Sequence, residues 1–161
     1  MEAASTVQIT GTRTIGPDVR IDFEPVDFVQ VNADINRSMV HFAVERLGAG
    51  DDDRVLDLFC GIGNFSLPLA RQAGRVIGVE GEGSLVGRAA GNARRNGIEN
   101  ASFRVCDLGG IDGTEAWVRE GCDRMLLDPA RSGAAAVVAH MEKFDPSRIV
   151  YVSCHPGTLA R

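Results

Sequence analysis

The sequence predicts an α/β fold with a doubly wound, mainly parallel sheet, the architecture called Rossmann-like. From residue 54 onward, short runs of β-branched residues and leucine alternate with segments of helical length, a pattern typical of βαβ units. Glycine is also abundant, at 19 of 161 residues, which indicates backbone turns or the close approach of a ligand. Because ligands of such sheets bind beyond the carboxyl ends of the strands, we expect the functional residues there.

Five strands and five helices account for most of the chain. The strands are predicted at residues 55–59, 76–80, 102–106, 125–128 and 149–153, and helices between them at 65–72, 84–96, 114–120 and 133–143. A further helix precedes them, with Asn32 as its N-cap and Gly48 just after its end. Gly87 and Gly91 are one turn apart in the helix over 84–96, and we expect them to permit its close packing on the sheet.

The N-terminal part of the chain is polar and is interrupted by Gly11, Gly16 and Pro17. Residues 1–20 are therefore predicted to form a lead-in segment with one edge hairpin. Residues 21–31 contain Pro25 and fit a strand with a break better than a helix. The length of 161 residues predicts one domain, which we assign to residues 21–161.

Composition excludes several classes of protein. The 17 basic and 22 acidic residues give a net charge of −5, which argues against a domain that holds polyanions by bulk electrostatics. The four cysteines form no C-x-x-C pair, so no structural metal site is expected. There is no apolar run of about 20 residues and no signal-peptide pattern at the N-terminus, so we expect no membrane span and a cytoplasmic location.

Polar residues at three predicted strand ends indicate a nucleoside site. Gly61 and Gly63 follow the first strand and permit a tight turn, while Ser66 replaces the third glycine of a dinucleotide fingerprint and disfavours NAD. Glu80 ends the second strand, where a carboxylate can accept hydrogen bonds from the two hydroxyls of a ribose. Asp107 ends the third strand, where it either reaches an adenine amino group or anchors a loop.

This combination resembles the class I S-adenosylmethionine-dependent methyltransferases. Four motifs narrow the resemblance to the RNA (uracil-5-)-methyltransferases, closest to the branch that acts on 23S ribosomal RNA. They are FVQVN at 28–32, LDLFCGIGNF at 56–65, DPAR at 128–131 and VSCHPGTLAR at 152–161. The match runs over residues 21–161, and the transfer RNA branch shares much of the same motif set.

The resemblance implies S-adenosyl-L-methionine as cofactor, S-adenosyl-L-homocysteine as product and RNA as substrate. It places the nucleophile at Cys154 and the cofactor contacts at the following residues: Gln30, Phe59, Asn64, Glu80, Asp107 and Asp128. Cys154 follows a strand of buried type and precedes Pro156, so its thiolate is expected beside a helix N-terminus. His155 stands where the family more often has asparagine. For Phe59 and Phe65 we expect core packing rather than stacking on a ligand ring.

The resemblance also predicts that the chain is a catalytic-domain fragment. The family's general base, a glutamate, lies downstream of the cysteine motif, and the sequence ends at Arg161. We therefore expect cofactor binding without full turnover, and self-association through an exposed sheet edge at residues 149–152. One alternative is a cofactor-binding module without catalysis. Another is a methyltransferase acting on an amino group or a small molecule, which Ala130 and Arg131 disfavour because they replace the proline and aromatic residue of amino methyltransferases.

Overall fold

A computed structural model describes residues 11–16, 18–24, 32–153 and 157. Within these residues the chain forms seven strands and six helices. The strands are β1 (Gly11–Thr14), β2 (Arg20–Phe23), β3 (Arg54–Leu58), β4 (Arg75–Glu80), β5 (Ala101–Val105), β6 (Arg124–Leu127) and β7 (Arg148–Tyr151). The helices are α1 (Ala33–Leu47), α2 (Ser66–Ala70), α3 (Gly83–Arg95), α4 (Ala116–Arg119), α5 (Ala135–Ala139) and α6 (Met141–Phe144).

The central sheet confirms the predicted fold class. Its five strands run in the order β5-β4-β3-β6-β7, and every neighbouring pair is parallel. From β3 the chain extends the sheet outward through β4 and β5, and then returns to add β6 and β7 on the other side of β3. The strand order therefore reverses beside β3, and the carboxyl end of β3 is where a doubly wound sheet binds ligands.

Apolar side chains cover both faces of the sheet. Val55 and Val76 belong to one buried cluster with residues of α1 and α2, whereas Leu56 and Leu58 belong to a second with residues of α4, α5 and α6. This division follows from the alternation of side chains along a strand. It explains why the central strands are apolar at almost every position.

The helix preceding the sheet has the predicted ends. The Asn32 side chain accepts hydrogen bonds from the backbone N–H groups of Asp34 and Ile35, and Gly48 closes α1 in the left-handed conformation at φ 60°. None of the helices in the described part of the chain combines the length and the apolar character that a membrane crossing requires.

The expected packing of Gly87 and Gly91 on the sheet is wrong. A Cβ at Gly87 would meet no atom within 4 Å, and the atoms nearest to one at Gly91 belong to the side chains of Arg94 and Arg95. The buried face of α3 is instead made by Ala89, Asn92 and Ala93. Glycine in a helix interior therefore did not identify the packed face.

Two other predictions need adjustment. The segment 133–143 is not one helix, since α5 and α6 meet at His140, which has φ −112° and ψ 15°. The strand predicted over 55–59 stops at Leu58, because Phe59 has a positive φ of 66°.

An antiparallel hairpin of β1 and β2 packs against α3. A hairpin is therefore present as predicted, but it forms a separate two-stranded sheet rather than an edge of the central one, and its second strand extends beyond residue 20 to Phe23. The break predicted at Pro25 lies outside the described residues, and the division of the chain at residue 20 stays a prediction.

Candidate functional site

The carboxyl ends of β3, β4, β5 and β6 place four predicted site residues at one end of the sheet. Phe59, Glu80, Asp107 and Asp128 end these strands or follow them within two positions. The chain turns sharply at Phe59, where the N–H groups of Phe59 and Cys60 both donate to the carbonyl of Val79, at 2.9 and 3.1 Å. A left-handed conformation at an aromatic residue is strained, and residues strained in this way cluster at functional sites.

The glycine turn, residues 61–64, follows Phe59 directly. Gly61 has φ 53° and Gly63 has φ 94°, conformations that L-residues with side chains rarely adopt. A Cβ at Gly63 would lie 3.1 Å from the Cγ of Leu67, whereas a Cβ at Gly61 would meet nothing within 4 Å. Gly63 is thus needed for packing, while Gly61 leaves open space beside the backbone.

Glu80 joins the glycine turn to the end of β4. Its Oε2 accepts a hydrogen bond from the backbone N–H of Gly61 at 3.1 Å. Its Oε1 accepts from the N–H groups of Gly81 at 2.7 Å and Glu82 at 3.2 Å. A carboxylate has about four acceptor positions, so these three bonds leave one position on Oε2 for a hydroxyl of a ligand.

Asp107 both anchors a loop and lines a cleft, so the two roles weighed for it are compatible. Its Oδ1 accepts a hydrogen bond from Gly109 N–H at 2.9 Å. The cleft has a volume of about 220 Å³ and is lined by Phe59, Asp107, Leu108, Gly109 and residues 132–136. Phe59 therefore faces this cleft as well as the core, whereas Phe65 is 1% exposed and packs in the core as predicted.

A larger hollow of about 360 Å³ lies at the opposite end of the sheet. It is lined by residues 74–75 and 99–102, at the amino ends of β4 and β5. None of the predicted site residues borders it. We assign the candidate site to the smaller cleft because ligands of a doubly wound sheet bind at the carboxyl ends of the strands.

Burial raises the pKa of two acidic side chains near the site. Burial raises the pKa of Asp128 to about 6. Asp57, the fourth of the five residues of β3, is fully buried, and burial raises its pKa to about 7, assisted by repulsion from Asp128 and Glu80. The Ser66 hydroxyl donates to Oδ2 of Asp57, while Oδ1 has no hydrogen-bond partner among the described residues.

All four fully buried polar side chains of the described residues contact the segment 61–66 or belong to it. They are Asn36, Asp57, Ser66 and Asn92. Asn36 pairs with Asn64, Asp57 pairs with Ser66, and Asn92 donates to the carbonyl of Ile62 at 3.1 Å. A buried polar group is costly unless it is hydrogen-bonded, so these contacts hold the turn in one conformation.

Sequence reasoning missed Asn36, Asp57 and Asn92. A signal existed for each, since Asp57 interrupts an apolar strand and both asparagines occupy positions on the apolar face of a helix. The partners that explain them lie elsewhere in the chain, 28 positions away for Asn36 and 30 for Asn92.

Seven of the nine predicted site residues lie at this end of the sheet: Phe59, Gly61, Gly63, Asn64, Glu80, Asp107 and Asp128. Gln30 and Cys154 lie outside the described residues, and their roles stay predictions. Burial raises the pKa of the thiols of Cys60, Cys106 and Cys122, which makes them poor nucleophiles near neutral pH.

Comparison with known proteins places the chain in a family. Residues 15–161 match the model of the tRNA (Uracil-5-)-methyltransferase family. The chain is 62% identical over 139 residues to the 23S rRNA (uracil(1939)-C(5))-methyltransferase RlmD of Aeromonas hydrophila, covering 86% of this chain and 32% of that protein. It is 54% identical over 144 residues to RlmD of Stenotrophomonas maltophilia, covering 89% of this chain and 32% of that protein.

A solved structure agrees over almost the whole chain. The tRNA (uracil-54, C5)-methyltransferase of Pyrococcus abyssi, determined with S-adenosyl-L-homocysteine, superimposes with a TM-score of 0.80 at 27% identity. The match covers 94% of this chain and 36% of that one. The chain thus spans about a third of the length of the relatives it matches. Because the family model matches residues 15–161 and the chain has the Rossmann-like fold, the chain belongs to the tRNA (Uracil-5-)-methyltransferase family.

Proposed function

We propose that this chain binds S-adenosyl-L-methionine and is the cofactor-binding part of an enzyme that methylates carbon 5 of a uridine in RNA. The observation that carries the proposal is the link between Glu80 and the N–H of Gly61, at the point where the strand order reverses. It holds a carboxylate beside an open backbone turn, as a ribose site requires. Family membership supports the same cofactor.

The residues present fit this cofactor. Gly61 leaves its side of the turn open, Oε2 of Glu80 keeps one acceptor position, and Phe59 and Asp107 line a cleft suited to a planar base. When bound, the cofactor supplies a methyl group on a positively charged sulfur. Carboxyl groups at Glu80, Asp107 and Asp128 give this end of the sheet an acidic character that favours a cationic ligand.

We assign the nucleophile of the reaction to Cys154. Carbon 5 of uracil is a poor nucleophile, and addition of a thiolate to carbon 6 gives carbon 5 the enolate character that it lacks. After methyl transfer, a general base accepts the carbon 5 proton, and elimination of the thiolate releases the product and restores Cys154. A base inside folded RNA must leave its stack to meet this side chain.

Ribosomal RNA is the substrate class that we favour, because the relatives at 54–62% identity are named for 23S rRNA. Transfer RNA is the second candidate, supported by the superposition on the Pyrococcus abyssi enzyme. An enzyme acting on either RNA is expected in the cytoplasm. Because the chain spans about 32% of the RlmD proteins, we limit the proposal for the chain itself to cofactor binding and assign turnover to a protein of their full length.

Calorimetry with S-adenosylhomocysteine tests cofactor binding by the chain. We expect the wild-type protein to bind and Glu80→Gln to bind at least about tenfold more weakly, because the amide cannot serve as acceptor for all three N–H groups and the ribose. The matched control is Glu99→Gln, an exposed residue beside the opposite end of the sheet, which should bind as the wild type does. No binding by folded wild-type protein, at concentrations up to about 1 mM, would overturn the proposal.

Covalent trapping tests the role of Cys154. RNA containing 5-fluorouridine should form a stable adduct with a protein of the relatives' full length, because fluorine at carbon 5 cannot leave as a proton does. The Cys154→Ala variant should form none, whereas Cys122→Ala, at a half-buried cysteine remote from the cleft, should react normally. Equal adduct formation by the Cys154→Ala variant contradicts the assignment, and comparing ribosomal with transfer RNA identifies the substrate class.

A further inference from the structure

We propose that Asn36 is a positioning residue for the cofactor site, which its side chain serves by holding the amide of Asn64 in place. The inference rests on the proposed function, because Asn64 matters only if the glycine turn holds a ligand. Neither Asn36 nor Asn64 lines the cleft described above; Asn64 belongs to the glycine turn, which follows Phe59 of that lining.

The two amides form a closed pair. Nδ2 of Asn36 donates to Oδ1 of Asn64 at 2.9 Å, and Nδ2 of Asn64 donates to Oδ1 of Asn36 at 3.1 Å. The pair uses one N–H and one oxygen acceptor position of each amide. Among the described residues, Asn64 therefore keeps a second N–H and a second acceptor position.

Packing alone does not explain why an amide side chain occupies the position of Asn36. Asn36 is 1% exposed and lies on the buried face of α1, which is otherwise apolar and includes Val40, Ala43, Val44 and Leu47. An unpaired amide in such a place is costly, and an apolar side chain would dock the helix more favourably. Its hydrogen-bond partner, Asn64, is the residue that explains its presence.

Pairing prepares Asn64 for a ligand before the ligand arrives. Asn64 directly follows Gly63, which has φ 94°, so its side chain leaves the turn at a point where the backbone is already unusual. Without Asn36 the side chain would sample several rotamers, and binding would have to select one. Ordering a side chain in advance removes a cost of about 0.5–1.5 kcal/mol, which corresponds to roughly 2- to 13-fold in affinity.

A double-mutant cycle on S-adenosylhomocysteine affinity, measured by calorimetry on the 161-residue chain, tests the proposal. We expect Asn36→Ala to weaken binding roughly 2- to 13-fold, and to weaken it no further when Asn64 is already alanine. Asn100→Ala is the matched control, since that part-buried amide donates to the carbonyls of Ala70 and Ala73, at 2.8 Å each. It should lower stability without changing affinity.

A second variant separates positioning from packing. Asn36→Asp keeps the size of the side chain, but in its ionised form it can only accept hydrogen bonds and leaves Oδ1 of Asn64 without a donor. Burial raises the pKa of such a carboxyl, and once protonated it can donate again. The ratio of variant to wild-type affinity should therefore recover as the pH falls from about 8 to about 5.5.

The outcomes distinguish the two levels of the argument. Failure of the folded wild-type chain to bind S-adenosylhomocysteine would overturn the proposed function, and this inference with it. Wild-type binding that Asn36→Ala leaves unchanged, or that Asn36→Ala and Asn100→Ala weaken equally, overturns the inference alone. So does a penalty at Asn36 that is undiminished in the Asn64→Ala background, or an Asn36→Asp defect that stays constant with pH.

Discussion

Ser66, the first residue of α2, donates a hydrogen bond from its hydroxyl to the carboxyl of Asp57 near the carboxyl end of β3, and both side chains are fully buried. The two residues are nine positions apart, and the glycine turn lies between them. Their contact therefore fixes both ends of the segment that we assign to the cofactor. The hydrogen bond from Ser66 lowers the pKa of Asp57, but burial outweighs it and leaves that pKa at about 7.

Stability should fall as the pH rises through the range set by Asp57. The ordinary pKa of this group is 3.8 and its pKa in the fold is about 7, so between these values the unfolded chain has released the proton that the folded protein still holds. Each pH unit in that range removes at most about 1.4 kcal/mol of unfolding free energy. Asp128 adds a loss of the same sign, between 3.8 and about 6.

Urea unfolding at a series of pH values measures this slope. We expect the Asp57→Asn variant to lose the part of the decline that reaches to about pH 7, because an amide does not titrate. Asp51→Asn, at an exposed position before β3, should keep the wild-type slope. Identical slopes for the wild type and Asp57→Asn would show that Asp57 does not hold its proton in the folded state.

A side chain at Gly61 should weaken ligand binding for a reason separate from stability. Gly61→Ala introduces a Cβ into the open space beside the turn, at φ 53°. Gly97→Ala is matched to it, since Gly97 has φ 62°, is also without atoms within 4 Å of a Cβ, and lies beyond the end of α3. Both variants should lose about 1–2 kcal/mol of unfolding free energy from backbone strain.

Calorimetry with S-adenosylhomocysteine then distinguishes the two glycines. Only Gly61→Ala should weaken binding, by at least about tenfold, because only its Cβ occupies the ligand's side of the turn. If both variants bind as the wild type does, the open space beside Gly61 is not part of the site.

The local sequence pattern is enough to predict where the strands end, but not which side chains hold those strand ends in place. Glu80 and Asp107 were identified because a parallel sheet brings its carboxyl ends together, which depends only on recognising the strands. Asn36 and Asp57 could not be assigned a purpose, since their partners depend on how α1 and α2 pack on β3. Gly87 misled for a similar reason, because the absence of a side chain does not say which face of a helix is covered. The break between α5 and α6 at His140 could not be predicted, because no glycine or proline occurs there.

The last strand of the described sheet should support self-association. β7 pairs only with β6 among the described strands, and Ile149 on it is 42% exposed. An unpaired strand edge with apolar side chains favours pairing with a second copy, which a charge on the strand opposes. Ile149→Lys should therefore shift the chain toward monomer in sedimentation velocity over a wide range of concentration.

The control for this experiment is Val105→Lys. Val105 is 59% exposed and lies on β5, the strand at the other edge of the sheet. If β7 is the contact, this substitution at the other edge should leave self-association unchanged. A wild-type chain that sediments as a monomer throughout, or an equal response to both substitutions, would remove β7 as the contact.

Asn92 on α3 and Asn96 just after its end should separate the support of the hairpin from the support of the glycine turn. Asn92 accepts a hydrogen bond from the N–H of Asp22 at 2.9 Å and donates to the carbonyl of Asp22 at 3.1 Å. Asn96 bonds Arg20 of β2 in the same way, accepting from its N–H at 2.9 Å and donating to its carbonyl at 2.6 Å. Asn92 also donates to the carbonyl of Ile62 in the turn, at 3.1 Å.

Hydrogen exchange and calorimetry on the two alanine variants measure these roles separately. Both should increase exchange in β2, and each should cost about 1–3 kcal/mol because backbone groups lose their partners. Only Asn92→Ala should also increase exchange in the glycine turn and weaken S-adenosylhomocysteine binding, by several-fold, because Asn96 does not reach Ile62. Equal effects of both variants on affinity would mean that the hairpin as a whole, rather than the bond from Asn92 to Ile62, supports the turn.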